Sequence, residues 1–164
     1  MRRICSVLLL AASLFTHVTE AAAMSPLPFF QQVERVGLLC AVDAEGGPAA
    51  DIGDDALCGR AAVVLSGLLT SGPAVVVLAP NDVRIADPGT LLVLVHATLR
   101  PEGKDGRLLA FGATLQRSGG GSGAPFFMTP PQALTLSGSL DESLLDSALR
   151  HLLAPLAGAL RANP

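Results

Sequence analysis

The sequence predicts an α+β fold: a single mostly antiparallel sheet of four to five strands with two amphipathic helices on one face. Three observations lead to this prediction. Aliphatic runs of strand length recur along the chain, and two other segments carry apolar residues at helical spacing. The elements follow the order β-α-β-β-β-(β)-α, with short turns between several strands. Two apolar helix stripes are buried most simply on the same face of one sheet.

The N-terminus has the pattern of a secretory signal peptide. Arg2 and Arg3 precede the apolar run Val7–Phe15, and Ala21 and Ala23 supply the small-residue spacing that signal peptidase reads. The run is shorter than the roughly 20 residues of a bilayer span, so we expect no stable membrane span in the mature chain. A retained N-terminal anchor is the alternative. The expected location is periplasmic or secreted.

This signal sets the predicted boundaries of the chain. We expect a cleaved signal peptide at 1–23, an extended lead-in at 24–35 and a single α/β domain at 36–162. The lead-in contains prolines and the adjacent pair Phe29 and Phe30, one of which we expect to pack on the domain.

Two cysteines lie within the predicted domain. Cys40 falls in the predicted buried strand Val36–Val42, and Cys58 falls in the first turn of a helix that begins near Asp54. We predict a disulfide between them, because paired thiols of exported proteins are usually oxidised and a strand end lies close to the next helix start. Two free buried thiols are the alternative. A zinc site normally needs four ligands and a redox pair normally has C-x-x-C spacing, so neither fits well.

The first helix is predicted at Asp54–Leu69, followed by a left-handed cap at Gly72. Its apolar residues recur every three or four positions: Leu57, Ala61, Val64, Leu65 and Leu68. The β-branched run Pro73–Pro80 that follows predicts a central strand. An acidic, Gly- and Pro-containing loop, Asp43–Asp55, precedes the helix, and its acidic spacing does not match an EF-hand calcium loop.

Two long strands are predicted at Thr90–Arg100 and Arg107–Arg117, joined by the turn sequence PEGKDG. A weaker strand follows within Phe126–Leu136, where Pro130 and Pro131 predict an edge position. The short links between these strands predict an antiparallel meander.

The last predicted element is an amphipathic helix. Ser139 and Glu142 have the spacing of a capping box, in which each side chain binds a free amide at the helix start. Pro155 is expected to kink this helix or to end its first half. The apolar stripe contains Leu145, Leu149, Leu152, Leu156 and Leu160.

We assign no catalytic, cofactor-binding or metal-ligating residue from the sequence. Gly119–Ala124 superficially resembles a dinucleotide-binding loop, but no helix start follows it. His96 lies on a predicted strand without a nucleophile elbow, and a structural role for it is favoured over general-base catalysis. The net charge of −3 and the absence of Trp and Tyr argue against nucleic-acid binding.

Alternation along the predicted strand suggests a partner surface. Leu91, Val95 and their face should meet the helices, which leaves the opposite face outward. That face contains Leu92, Leu94, His96 and Thr98. It lies beside Leu109, Phe111 and Leu115 of the next strand, or beside the alternate set. Outward apolar residues on a sheet often mark a binding site. The equally weighted alternative is that this face is covered, either by the N-terminal lead-in or by the segment that contains Phe126 and Phe127.

These observations predict a non-enzymatic accessory protein that binds another envelope protein through a sheet face or edge. A carrier of a small apolar ligand, or a solute-binding accessory, is the alternative, and a hydrolase ranks third. In element order the chain resembles small envelope-associated α/β domains, such as the N-terminal domain of the translocation protein TolB and lipoprotein activators of cell-wall synthases. The resemblance concerns architecture, which by itself carries no function.

Overall fold

The computed structural model describes residues 28–45, 52–104, 106–118 and 129–163. The expected signal peptide and residues 24–27 of the lead-in lie outside this part of the chain. The described elements are β1 (Arg35–Ala44), α1 (Asp54–Leu68), β2 (Ala74–Val77), β3 (Thr90–Glu102), β4 (Gly106–Arg117), β5 (Gln132–Leu136) and α2 (Glu142–Ala162). Short 3-10 turns are formed by Pro28–Phe30 and Val83–Ala86. The α+β class and the order of elements are confirmed.

The five strands form one mixed sheet in the order β2-β1-β3-β4-β5. β1 is parallel to both β2 and β3, whereas the β3–β4 and β4–β5 pairs are antiparallel. The predicted antiparallel meander is therefore present in β3, β4 and β5, whereas β2 does not belong to it and the sheet as a whole is mixed. A helical crossover through α1 brings β2 back parallel to β1, and the chain then passes to the other side of β1 before β3 begins.

The position of β2 corrects a second expectation. Pro73–Pro80 was predicted to contain a central strand, but β2 lies at one edge of the sheet. A continuous aliphatic run marks a buried strand only when both faces are covered, and here Val77 remains 44% exposed. β5 occupies the other edge, after Pro130 and Pro131, as predicted; residues 126–128 lie outside the described part of the chain.

Both helices pack on one face of this sheet and against each other. In β3 the face toward the helices carries Leu91, Val93 and Val95, each no more than 1% exposed. The helices supply most of the remaining core: Leu57, Ala61, Leu65, Leu145, Leu149, Leu152, Leu153 and Leu156. This single core is continuous across all five strands and follows the predicted apolar stripes of both helices.

The described end of the lead-in is a helical turn rather than an extended segment. Pro28–Phe30 forms a 3-10 turn, and Phe30 packs into the core with 2% exposure. Phe29 contacts it edge to face, with 5.2 Å between the ring centroids. One of the two rings was expected to pack on the domain, and Phe30 does so.

Two helix ends differ from the sequence pattern. α2 is capped by Asp141, which accepts hydrogen bonds from the Ser143 amide at 2.8 Å and the Leu144 amide at 3.4 Å, and not by Ser139. Because α2 begins at Glu142, the capping-box spacing does not align with the helix start. Pro155 lies inside α2, which continues to Ala162, so it does not end the helix. The capping residue at the end of α1 is Leu69; among the described glycines only Gly103 and Gly138 have positive φ, so Gly72 is not a left-handed cap.

Candidate functional site

The predicted disulfide is present and joins β1 to α1. The Cα atoms of Cys40 and Cys58 are 5.5 Å apart, and the two residues are separated by 18 positions. A second contact fixes the same two elements, since the Val42 amide donates to Asp54 Oδ1 at 2.7 Å. A disulfide of this kind is typical of proteins in oxidising compartments.

The sheet face opposite the helices is the candidate functional surface, and we call it the outer face. Register places His96 of β3 beside Ala41 of β1 and Gly112 of β4. Its residues are mainly small or aliphatic: Leu39, Ala41, Leu94, His96, Thr98, Ala110, Gly112 and Thr114. Among the described residues, neither helix covers this face.

Three of the four predicted surface residues lie on open parts of the outer face. His96 is exposed, and Leu94 and Thr98 are half-buried. Leu92 shares this face but is only 3% exposed. On the neighbouring strand the alternate set faces outward, because Leu109, Phe111 and Leu115 are each at most 2% exposed in the helix-facing core.

Leu92 is covered by a side chain that strand alternation did not identify. Leu78, directly after β2, is 5% exposed and lies over Gly37 of β1. A Cβ at Gly37 would be 2.4 Å from Leu78 Cδ1 and 3.2 Å from Leu92 Cδ2. The missing side chain at Gly37 thus lets Leu78 reach Leu92, and the open outer face begins at Leu94.

A shallow cavity of about 380 Å³ lies on the outer face between β3 and β4. Gly112 lies opposite His96 and has no side chain to fill the base of the cavity. Pro131 lies at the edge of the cavity. Within the described residues, no hydrogen bond involves the His96 side chain. A hydrogen bond between a base and a nucleophile, which accompanies covalent catalysis, is thus not formed by His96 in the part of the chain that the structure describes.

One end of the outer face carries paired charges. Arg100 donates to Asp43 at 2.8 Å and lies 3.2 Å from Glu45. The Arg100 hydrogen bond, followed by its positive charge, lowers the pKa of Asp43, and the charge of His96 adds a smaller lowering effect. The face is thus apolar at its centre, with ionised groups at the end where β1 and β3 terminate.

A second, larger cavity of about 660 Å³ lies at the surface between α1 and the start of α2. Its lining includes Ile52, Ala56, Gly59, Val63, Leu140 and Leu145. Arg60 at its edge forms an ion pair with Glu142 and approaches Asp146, with 3.5 Å between Nε and Oδ1. This second contact lacks hydrogen-bond geometry, and Asp146 Oδ1 is buried without a hydrogen-bond partner among the described residues.

Two features are absent from the described residues. No three side chains of His, Cys, Asp or Glu are grouped so that they could hold a metal ion. No helix there has both the length and the apolar composition needed to cross a membrane. Asp51 of the acidic loop lies outside the described residues.

Comparison with known proteins relates the chain to others by fold alone. No protein-family model matches it, and no curated protein matches it in sequence. PelC from Paraburkholderia phytofirmans, a dodecamer, is similar in structure: one crystal form has a TM-score of 0.51 at 14% identity, covering 81% of this chain and 94% of PelC. The structure of a PelC variant gives 0.52 at 14% identity, with 77% and 90% coverage. A hypothetical protein from Chlamydia trachomatis gives 0.48 at 11% identity, with 79% and 99% coverage.

Proposed function

We propose that this chain is a non-enzymatic, exported accessory protein of the cell envelope that binds another protein through its outer sheet face. The observation that carries the proposal is the contrast between the two faces of the sheet. α1 and α2 bury one face, whereas no described element packs over Leu94, His96 and Thr98 on the other. Uncovered apolar surface of this kind often marks an interaction site.

Export is supported by two independent features of the chain. Its first 23 residues have the charge, apolar run and small-residue pattern of a signal peptide. The disulfide between Cys40 and Cys58 suits an oxidising compartment. Together they support a periplasmic or secreted location.

The shape of the outer face favours a protein over a small molecule. Ala41, Ala110 and Gly112 keep its centre flat, and the 380 Å³ cavity between β3 and β4 is open and shallow. Flat surfaces with a central apolar area and a polar rim are typical of protein interfaces. PelC, which has a similar fold, is a dodecamer; that protein shows that the fold can support contacts between protein chains.

Site-specific photo-cross-linking in intact cells tests this proposal. A photoreactive residue replaces Thr98 or Thr114 on the outer face, and a matched control replaces Val63, which is 67% exposed on α1. We expect the two outer-face positions to capture the same envelope protein, identified by mass spectrometry, and the Val63 position not to capture it. Equal capture from all three positions, or no capture from the outer face, would contradict the proposal.

A small-ligand carrier remains the second candidate because of the cavity between α1 and α2. Its volume of about 660 Å³ falls within the range of small-molecule sites, and its lining combines apolar residues with Asp55, Arg60, Ser139 and Glu142. Native mass spectrometry of the purified protein distinguishes the two functions: a co-purified small molecule that is lost on Gly59→Leu substitution would support the carrier. A Cβ at Gly59 meets no described atom within 4 Å, so the fold should tolerate the change.

A further inference from the structure

Among the described residues, the outer edge of β2 has backbone groups without a strand partner. β2 pairs with β1 along Ala74–Val77, and no described strand lies on its other side. The Leu78 amide donates to the Leu38 carbonyl oxygen at 2.9 Å, which fixes the direction of the neighbouring peptide groups. Because successive residues of a strand alternate in direction, Val75 and Val77 point their N–H and C=O groups away from the sheet.

These N–H and C=O groups can form hydrogen bonds with the same edge of a second copy of the chain. In an antiparallel pair, two residues that face each other can exchange both backbone hydrogen bonds. Val75 of one chain would face Val77 of the second, and Val77 would face Val75, with a two-fold axis at Val76. The arrangement closes four backbone hydrogen bonds and leaves no unpaired group between them. A contact that repeats itself about a two-fold axis is the commonest form of symmetric association.

The charge distribution favours a second copy over a different partner. Residues 61–81, which include most of α1 and all of β2, contain no charged side chain. Near a two-fold axis any charge meets its own copy, and like charges directly opposite in a strand pair are destabilising. The edge of β2 lacks the lysines, prolines and inward charges that usually prevent pairing, and Val77 is 44% exposed.

The ends of β2 limit how far such pairing extends. Pro73 and Pro80 flank the segment, so the ladder is confined to the residues between them. The opposite edge of the sheet differs, because Pro130 and Pro131 precede β5. The two edges are therefore not equivalent. Each chain has one β2 edge, so pairing of β2 with β2 leaves no further β2 edge open and stops at two chains.

We propose that the protein forms a two-fold dimer through antiparallel pairing of β2 with β2 of a second copy, giving a continuous ten-stranded sheet. This goes beyond the function proposed above. Pairing at a sheet edge leaves both outer faces accessible, so the dimer would present two partner surfaces side by side.

Sedimentation equilibrium of the exported chain, with its disulfide intact, tests the dimer over a concentration series. We expect the wild-type mass to approach that of two chains. Val77→Lys places a cation opposite Val75 of the second copy and diagonal to its own copy across the axis, and should raise the dimer dissociation constant at least about tenfold. Val83→Lys is the control, since Val83 is 86% exposed in the 3-10 turn after β2 and outside the pairing edge. It should leave the dimer unchanged.

A second variant and a second measurement keep the dimer testable if Val77→Lys fails to fold. Val75→Pro removes an outward amide and leaves the amides that bond to β1 in place; because the Val75 side chain also packs against the core, circular dichroism checks the fold of this variant. In the wild-type dimer, hydrogen exchange at the Val75 and Val77 amides should slow with rising concentration. A wild-type monomer at every concentration, an equal effect of Val83→Lys, or an oligomer that survives both β2 variants would overturn the dimer. Failure of cross-linking from Thr98 and Thr114 would instead overturn only the partner surface.

Discussion

At the residue scale, Arg117 joins segments that are distant in sequence. Its guanidinium donates to the carbonyl oxygens of Phe29 at 3.0 Å, Gln31 at 2.6 Å, Gln32 at 3.1 Å and Pro88 at 2.9 Å. Gln32 has a φ of 54°, in the left-handed region. The planar guanidinium offers five donors in a fixed arrangement, which suits several carbonyls at once. Arg117 therefore holds the segment that follows the 3-10 turn against the start of β3.

Arg117→Lys should destabilise the protein by about 1–3 kcal/mol, because one ammonium group cannot replace hydrogen bonds in these several directions. Urea unfolding followed by circular dichroism measures the change. Arg150→Lys, at an exposed position of α2, is the matched control and should change the free energy of unfolding by less than about 0.5 kcal/mol. Equal effects of the two substitutions would show that the carbonyl contacts contribute nothing.

At the element scale, β1 and α1 form a covalently closed unit. The disulfide links the strand to the first turns of the helix, and Asp54 accepts the Val42 amide beside it. Leu57 and Ala61 of α1 are completely buried in the core on the same side. The helix is thus held by packing as well as by the disulfide, so loss of the bridge should reduce stability without abolishing the fold.

Replacing both Cys40 and Cys58 by Ala should lower the free energy of unfolding by about 3 kcal/mol, the value that loop-closure entropy gives for a loop of this size. The comparison is between the oxidised wild type and the double variant in guanidinium chloride, with the reduced wild type as a control. We expect the reduced protein to behave like the variant. A loss below about 1 kcal/mol would mean that the unfolded chain is not restricted by the bridge.

At the scale of the whole molecule, hydrogen-bond donors beside several surface carboxylates stabilise the ionised form and so lower the pKa. The side chain and backbone amide of Arg84 lower the pKa of Asp82 to about 2. The pKa of Asp87 is lowered first by the Gly89 amide and then by Arg35. The pKa of Asp141 is lowered chiefly by the hydroxyl and amide of Ser143. These pKa values lie below the ordinary value of 3.8 that the unfolded chain retains.

Because the folded pKa values are the lower ones, the stabilisation is present above pH 3.8 and is lost as the pH falls toward about 2. We expect the free energy of unfolding, measured in urea, to decline over this interval and to decline less steeply in Asp82→Asn. Carbon-detected NMR titration of the Asp82 carboxyl should give a pKa of about 2. Titration of that carboxyl near 3.8 would contradict the assignment. Since these groups are exposed, added salt should weaken the effect.

The sequence determined the properties that depend on neighbouring residues along the chain. Helical spacing located α1 and α2, strand alternation placed Leu94, His96 and Thr98 on one face, and the cysteine positions identified the disulfide. Spacing also suggested Ser139 as a cap, but the cap is Asp141, whose carboxylate accepts the Ser143 and Leu144 amides directly before the first turn of α2 is complete. A short motif defines a candidate helix start, but it does not by itself select between neighbouring polar residues that can all act as caps.

Only the tertiary structure decided which strands are neighbours and which surfaces are covered. Alternation placed Leu92 with Leu94, but it could not show that Leu78, after a different strand, reaches over Gly37 to bury Leu92. The aliphatic run containing β2 looked central, yet the crossover places it at the edge of a mixed sheet. Strand pairing joins residues far apart in sequence, and its free energy depends on packing between elements, to which local periodicity is insensitive.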